Sequence, residues 1–243
     1  MNFSKLHLTL QLLIAILISL PRRIYRVFCH FPALFTYLNR PALYGIRFRG
    51  IARCFLWLGE IPFLLLDLAG LPEWYELVNL WLKPNSRSLT SQELIWAKSL
   101  FGEMLPYQRI RIDERARLGP KQYRFCYVSF CVINSWERMP PAILIHELVH
   151  VWQFSRYGSP YILRALLAQN TRAGYDYGGI RALQMAREHD LTLEAFNYEQ
   201  QAAIVEDFFR FQKKGPLRWG RGEDPHDPDT YRYFISALTE IHF

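Results

Sequence analysis

The stretch of sequence that decides the fold is PPAILIHELVHVWQF, residues 140–154. Proline at its start and Gly158 shortly after its end are typical of the first and last turns of a helix. His146 and His150 are four residues apart, so on a helix both imidazoles lie on one face, one turn apart, with Glu147 beside them. The spacing predicts that the two histidines bind one tetrahedral metal ion.

Apolar residues surround these three polar side chains, so the predicted helix should be covered on most of its sides. Buried polar groups need partners, and one metal ion would serve both histidines at once. The alternative is an ordinary core helix in which each histidine bonds to a separate acceptor. A third ligand elsewhere would favour the metal, because a catalytic zinc site has three protein ligands and one open position.

A second amphipathic helix is predicted in YEQQAAIVEDFFRF, residues 198–211. Asn197 and Gln200 have the spacing of an N-cap residue and its reciprocal partner. Glu199 would lie in the first turn of this helix, and Glu206 on nearly the same face two turns later. The second helix therefore carries two acidic residues on nearly the same face.

The combination of HELVHVWQ with FNYEQQAAIVEDFF resembles the gluzincins, the zincin metallopeptidases in which HExxH is followed by a glutamate on a later helix. Glu199-Gln200-Gln201-Ala202 matches the Glu-x-x-Ala pattern of that class. The HELxHVWQ and NxEQQA motifs also look like those of a group of bacterial zincin-like proteins. The resemblance covers about Leu89 to Lys213, with its specific motifs confined to the two predicted helices.

The resemblance implies that Glu199 is the third zinc ligand and that Glu206 or Asp207 orients a histidine. It also implies that Glu147 is the general base, taking a proton from a zinc-bound water and passing it to the leaving amine. The alternative for Glu206 and Asp207 is a solvated polar face.

Enzymes of this class commonly need a donor for the oxyanion that forms when water attacks a carbonyl. Tyr175 and Tyr177, in the glycine-flanked loop AGYDYGG, are the candidates, with packing as the alternative role for each. Further histidines rank below Glu199 as ligands, because each lacks a helical partner at ligand spacing; they are His189, His226 and His242.

The net charge of +7 is concentrated near the N-terminus. Residues 1–59 contain eight basic residues and no acid, which leaves 21 basic and 22 acidic residues in the remainder. Cations interleaved with aromatic and aliphatic residues favour the surface of an anionic membrane as the partner. Nucleic acid is the less favoured partner, because no nucleic-acid-binding motif is present.

Two apolar runs accompany this charge. Leu6–Leu20 is shorter than the roughly 20 residues needed to span a bilayer, so an uncleaved anchor, an interfacial helix or a buried helix all fit it. Cys54–Leu71 is long enough but contains Glu60, Pro62 and Asp67, which favours a peripheral or re-entrant segment, or packing on the globular part. We therefore predict membrane association through the N-terminal segment, without assigning the side of the membrane.

The overall pattern predicts an α+β fold, with a zincin-like domain in residues 85–243 that contains a small β-sheet and the HExxH helix. A hydrophobic, basic, helical segment, residues 1–84, precedes it. Thr90 and Glu93 form a predicted capping box for a helix through Ser99. The predicted strands are residues 107–113 and 122–134, which are rich in β-branched and aromatic residues.

The favoured function is zinc-dependent hydrolysis of a peptide or protein substrate. One alternative is a non-catalytic zinc-binding scaffold or interaction domain, associated with a membrane or a secretion apparatus. The other is a membrane-binding protein in which the HExxH helix is only part of the core. Retention of Glu147 favours the enzyme, since a purely structural site needs no base beside its histidines.

Overall fold

The computed structural model describes residues 3–40, 42–47, 51–83, 85–116, 121, 125–220 and 227–239. Within these ranges the fold is α+β and mostly helical, in agreement with the predicted class. The helices are α1 (Phe3–Asn39), α2 (Ala52–Leu68), α3 (Leu71–Leu82), α4 (Ser91–Phe101), α5 (Pro141–Tyr157), α6 (Pro160–Gln169), α7 (Gly179–Glu188), α8 (Tyr198–Gln212) and α9 (Pro228–Ile235). The strands are β1 (Ala42–Leu43), β2 (Ile46–Arg47), β3 (Arg111–Asp113), β4 (Tyr127–Ser129) and β5 (Val132–Asn134).

The central sheet has the order β3-β5-β4. β3 is parallel to β5, with Ile112 opposite Ile133, and β4 is antiparallel to β5. The first predicted strand is shorter than expected, because a turn in which Arg109 N–H donates to Pro106 O precedes it. The second forms a hairpin that turns at Phe130, whose φ is +61°. Residues 122–124 of that prediction lie outside the described residues.

The main core lies between the sheet and helices α4, α5, α8 and α9. α5 packs against α8, α6 and α4, and its central residues are almost all buried. The predicted capping box of α4 is present, with Thr90 Oγ1 accepting from Glu93 N–H and the Glu93 carboxylate accepting from Thr90 N–H. The core thus holds the HExxH helix rigidly against α8.

The N-terminal helices form a separate layer, α1 with α2 and α3. α1 continues through Pro21 and Pro32, although each proline removes one backbone donor from the helix. α2 ends at a turn in which Gly70 has a φ of +76°, and α3 follows. None of the described helices is by itself long and apolar enough to cross a bilayer, and α2 with α3 meets that criterion only as a pair bent by 60°.

Buried polar contacts join this layer to the rest of the protein. Asp67 accepts hydrogen bonds from the Ser159 N–H and hydroxyl at the start of α6. Arg164 of α6 donates two hydrogen bonds of 2.8 Å to Glu60. Because the acids of α2 are committed to these contacts, α2 packs on the globular part, one of the arrangements that its sequence allowed.

Some basic residues of α1 also point inward, contrary to the expectation that they meet lipid headgroups. Arg23 donates to Glu73 and to the Asp67 carbonyl, each over 2.6 Å. Arg26 donates to the carbonyls of Ser155 and Arg156, at the C-terminal end of α5. Hydrogen bonds and ion pairing within the protein occupy these two guanidinium groups, so they face the protein interior and not a lipid surface.

Candidate metal centre

α5 presents His146, Glu147 and His150 to a partly open cavity of about 360 Å³. The helix begins after Pro140 and ends at Gly158, whose φ of +75° allows the chain to turn away. A Cβ at position 158 would collide with Asp67 and Arg26, so only glycine fits where the chain leaves α5. These features place the predicted motif in the middle of the helix, away from both ends.

α8 brings Glu199 to the same cavity. Asn197 caps its first turn in the predicted reciprocal way, accepting from Gln200 N–H while the Gln200 side chain accepts from Asn197 N–H. Glu199 Oε2 lies 3.4 Å from His146 Nε2 and 3.5 Å from His150 Nε2. The three candidate ligand atoms all lie within 4.8 Å of one another.

These distances suit a tetrahedral ion, because bonds of about 2.0–2.2 Å separate neighbouring ligand atoms by roughly 3.3–3.6 Å. Two buried carboxylate oxygens at this site, Glu147 Oε2 and Glu199 Oε1, have no hydrogen-bond partner in the described part of the chain. Leaving such groups unpartnered is costly, and a cation beside them would compensate both. The residues present therefore fit a metal ion, and nothing in the structure identifies the element.

Glu206 orients His146 and is not itself available as a ligand. Its Oε2 accepts a hydrogen bond from His146 Nδ1 over 3.1 Å and another from Trp219 Nε1 over 3.1 Å. Arg210 donates twice to its Oε1. Burial opposes ionisation of Glu206, but the contacts with His146 and Arg210 outweigh it and lower its pKa to about 2. The ionised carboxylate leaves Nε2 as the His146 nitrogen that faces Glu199.

Gln153 orients His150 as Glu206 orients His146. Its Oε1 accepts from His150 Nδ1 over 2.8 Å, while its Nε2 donates to the Tyr198 carbonyl and to Gln201 Oε1. The side chain is fully buried. Gln153 is not among the residues predicted from the sequence, although its position one turn after His150 on the motif helix is a signal that could have identified it.

The charges of the cluster stabilise one another. Burial lowers the pKa of His146, but hydrogen bonds with Glu199 and Glu206 outweigh this effect and raise the pKa to about 10. Burial would raise the pKa of Glu199, yet the two histidines hold it far below its ordinary value. Burial also raises the pKa of Glu147, partly offset by the same histidines. The carboxylates of Glu199 and Glu206 and the two imidazoles thus form one coupled cluster, in which the charge of each group depends on its neighbours.

The two candidate tyrosines occupy different environments. Tyr175 lines the cavity, with its ring 5.7 Å from that of His146 and stacked on Trp219 at 4.8 Å. Tyr177 is buried, and its hydroxyl donates to Asp207 Oδ2 over 2.9 Å and lies 2.7 Å from the Tyr231 hydroxyl. Tyr177 therefore has the packing role that the sequence left open, because its hydroxyl is bonded to Asp207 and the residue does not line the cavity. Tyr175 remains the candidate.

Asp207 supports the site through the backbone rather than through a histidine. Its carboxylate accepts from the N–H groups of Arg218, Trp219 and Gly220. This anchor holds Trp219 where its indole reaches both Glu206 and Tyr175. Of the two acids that the resemblance offered, Glu206 is the one that orients a histidine. Trp219 carries no sequence signal, because only the turn after α8 brings it back.

The other histidines in the described part of the chain do not join the cluster. His189 is exposed at the C-terminal end of α7, and His30 is stacked on Trp57 in the N-terminal layer. His226 and His242 lie outside the described residues. In the described ranges, His146, His150 and Glu199 form the one group of three such side chains close enough to share an ion.

The cavity beside the cluster is mainly apolar. β4 forms one wall, and Ile162, Ala165 and Leu166 of α6 form the other. Tyr161 fixes these walls together, because its hydroxyl donates to the Val128 carbonyl over 2.8 Å. The fold therefore combines a buried His-His-Glu cluster, an acid with an unpartnered oxygen and an apolar cleft.

No known protein family, curated protein or solved structure matches the chain.

Proposed function

We propose that the protein is a metal-dependent peptide hydrolase, with Zn²⁺ held by His146, His150 and Glu199. The observation that carries the proposal is the position of Glu147, a buried acid beside the ligand cluster whose Oε2 has no partner among the described residues. A scaffold site needs ligands only, whereas hydrolysis also needs a base that faces the substrate. When bound, the zinc ion would supply Lewis acidity, which polarises a carbonyl and makes water more acidic.

The chain's own groups account for the proton transfers. Glu147 Oε2 would take a proton from the water that attacks the peptide carbonyl carbon. The same carboxyl group would then give the proton to the amine nitrogen as the C–N bond breaks. Tyr175 lines the cavity on the α7 side and is the candidate donor to the oxyanion. Glu206 and Gln153 would hold the two imidazoles in the orientation that ligation requires.

The test is Glu147→Gln, which keeps the shape of the side chain and removes the base. The full chain, loaded with zinc, is incubated with a library of synthetic peptides, and cleavage is read by mass spectrometry. We expect cleavage to fall by at least about 10²-fold while one zinc per chain is retained. Glu188→Gln, a change of the same kind at an exposed residue of α7, is the matched control. Equal cleavage by Glu147→Gln and the control would reject the enzyme.

A further inference from the structure

The exposed apolar side chains of this protein are concentrated in its N-terminal layer. Of the 28 large apolar side chains that are exposed in the described ranges, 23 lie between Leu6 and Leu82. On each helix they recur three or four residues apart and so form a stripe. We call the exposed apolar residues of α1, α2 and α3 the outward apolar face; it includes Leu17, Ile18, Phe28, Leu65, Trp74 and Trp81.

The charged residues of the same helices are distributed in the opposite sense. All four acids in the first 83 residues are buried, Glu60, Asp67, Glu73 and Glu76. Arg23 is buried with them and pairs with Glu73. A helix on the surface of a water-soluble protein buries its apolar stripe and exposes its charges. The layer has the reverse polarity, which is the arrangement that lipid hydrocarbon favours.

The charge that does remain exposed in this layer is all positive. Arg22, Arg40 and Arg47 are exposed, whereas no acid is exposed among the described residues up to Lys83. Arg22 is also turned away from the outward apolar face, since it donates to the Arg156 carbonyl at the end of α5. Cations beside an uncharged apolar face are complementary to anionic headgroups beside hydrocarbon.

We infer that the outward apolar face inserts into the hydrocarbon of an anionic lipid bilayer. Insertion accounts for the exposed apolar side chains and also for the burial of the acids. Apolar side chains are stable in hydrocarbon, whereas charged carboxylates are not. Trp74 and Trp81 belong to this face, and tryptophan is enriched where protein meets the membrane interface. A protein partner would need only a local apolar patch, whereas this face extends over three helices.

One wall of the cavity is attached to this layer. α6, which forms that wall, packs on α2, where Glu60 pairs with Arg164 and Gly59 lies against Leu163. Leu166 of α6 is half-exposed and lines the cavity.

The contact between the cavity wall and the outward-facing layer points to a class of substrate. This part of the inference rests on the proposed function. A cavity with apolar walls, one of them formed by a helix that packs on the inserted layer, suits an apolar peptide segment close to the membrane. A lipid-anchored peptide would reach the site by diffusion in two dimensions, whereas a soluble peptide of the same sequence would not gain this advantage.

The insertion is tested by flotation of the full chain, synthesised in the presence of vesicles. We compare phosphatidylcholine vesicles with vesicles that also contain phosphatidylglycerol. The test variant is Ile18→Glu with Phe28→Glu, two positions that are 74% and 71% exposed and so contribute little to packing. We expect the unchanged chain to float, more with phosphatidylglycerol, and the variant to partition on the order of a hundredfold less.

The matched control is Ile95→Glu with Met185→Glu, which adds the same charge at two positions, each 62% exposed, on α4 and α7. This control should float like the unchanged chain. Equal flotation of the two double variants would overturn the inference. So would failure of the unchanged chain to float with either vesicle, whether it sediments as a monomer or as a dimer joined through this face.

Salt separates insertion from simple charge attraction. At about 1 M salt the Debye length falls to about 3 Å, so attraction between exposed cations and headgroups is screened. Flotation that survives this salt is the expected result, because burial of apolar side chains does not depend on it. Loss of all flotation would show that the cations alone hold the protein and would overturn insertion.

The substrate class is tested with one peptide sequence in two forms, soluble and anchored by an acyl chain to the vesicles. We expect the unchanged chain to cleave the anchored form at least about tenfold faster, and the Ile18→Glu, Phe28→Glu variant to lose this preference while cleaving the soluble form normally. Equal rates on the two forms would overturn the substrate class. Cleavage of neither form would reject the hydrolase instead, and the flotation result would stand independently.

Discussion

His146 donates from Nδ1 to the Glu206 carboxylate across 3.1 Å, and the opposite nitrogen of the same ring faces Glu199. One glutamate of α8 thus orients the imidazole while another, two turns earlier, completes the cluster. The division of roles follows from the partners of each acid. Glu206 is occupied by Arg210 and Trp219, whereas Glu199 keeps one oxygen without a partner among the described residues.

The first prediction concerns metal content. The purified protein should hold about one zinc ion per chain, and His146→Ala, His150→Ala or Glu199→Ala should each remove it, because three ligands are needed to hold the ion against exchange. The measurement is elemental analysis after dialysis. His189→Ala, which changes an exposed histidine, should keep the ion. A folded, unchanged chain without metal would contradict the site.

Substitution of the residues that orient the histidines should change the affinity for zinc and leave the number of zinc ions per chain unchanged. Glu206→Gln and Gln153→Leu should each weaken zinc binding by about 10–100-fold, because the imidazoles lose their fixed orientation. Competition with a chelator measures the change. Gln184→Leu alters an exposed glutamine of α7 and should leave affinity unchanged. Equal affinity in all variants would show that neither hydrogen bond matters for ligation.

The two tyrosines should give opposite results. Tyr177→Phe removes a buried donor from Asp207 and should lower the free energy of unfolding by about 1–3 kcal/mol. Tyr175→Phe should change that free energy by less than about 0.5 kcal/mol and lower kcat by about 10²-fold. Urea unfolding and peptide cleavage measure the two effects. If Tyr177→Phe reduced kcat at unchanged stability, our assignment of the tyrosines would be reversed.

Cys126, on the cavity wall, should be a slow nucleophile. Burial, with a smaller contribution from Glu147, raises its pKa to about 11. At pH 8 roughly one in a thousand of these thiols is ionised, so alkylation should be far slower than that of a free cysteine peptide in the same tube. The rate should rise about tenfold per pH unit from pH 8 to 10, as followed by mass spectrometry. A plateau near pH 9 would show that the thiol is not buried.

Breaking the buried ion pair between Glu60 and Arg164 by removing only the cation should be strongly destabilising. Arg164→Met leaves Glu60 buried without its cation and should cost about 3–5 kcal/mol in chemical denaturation. Glu60→Gln added to it should recover part of this loss. Arg232→Ala breaks an exposed pair with Asp229 and should cost no more than about 1 kcal/mol. Similar costs at both sites would indicate that water reaches Glu60.

Local patterns determined a large part of this protein. The four-residue spacing of His146 and His150, the proline before them and the glycine after them specify a helix with both imidazoles on one face. The capping boxes at Thr90 and Asn197 specify where two more helices begin, and the structure contains both. These features could be predicted because they depend on interactions within one or two turns of backbone.

Tertiary structure alone decided the rest. The packing of α5 on α8 brings Glu199 and Glu206 to one imidazole, and the turn after α8 returns Trp219 to the same place. The separation of Tyr175 from Tyr177, two residues apart in one loop, depends on which of them meets Asp207. The pairing of Arg23 with Glu73 buries one cation of α1 that the sequence predicts at the membrane surface. Contacts between residues distant in sequence depend on how whole helices pack, and no local pattern encodes that.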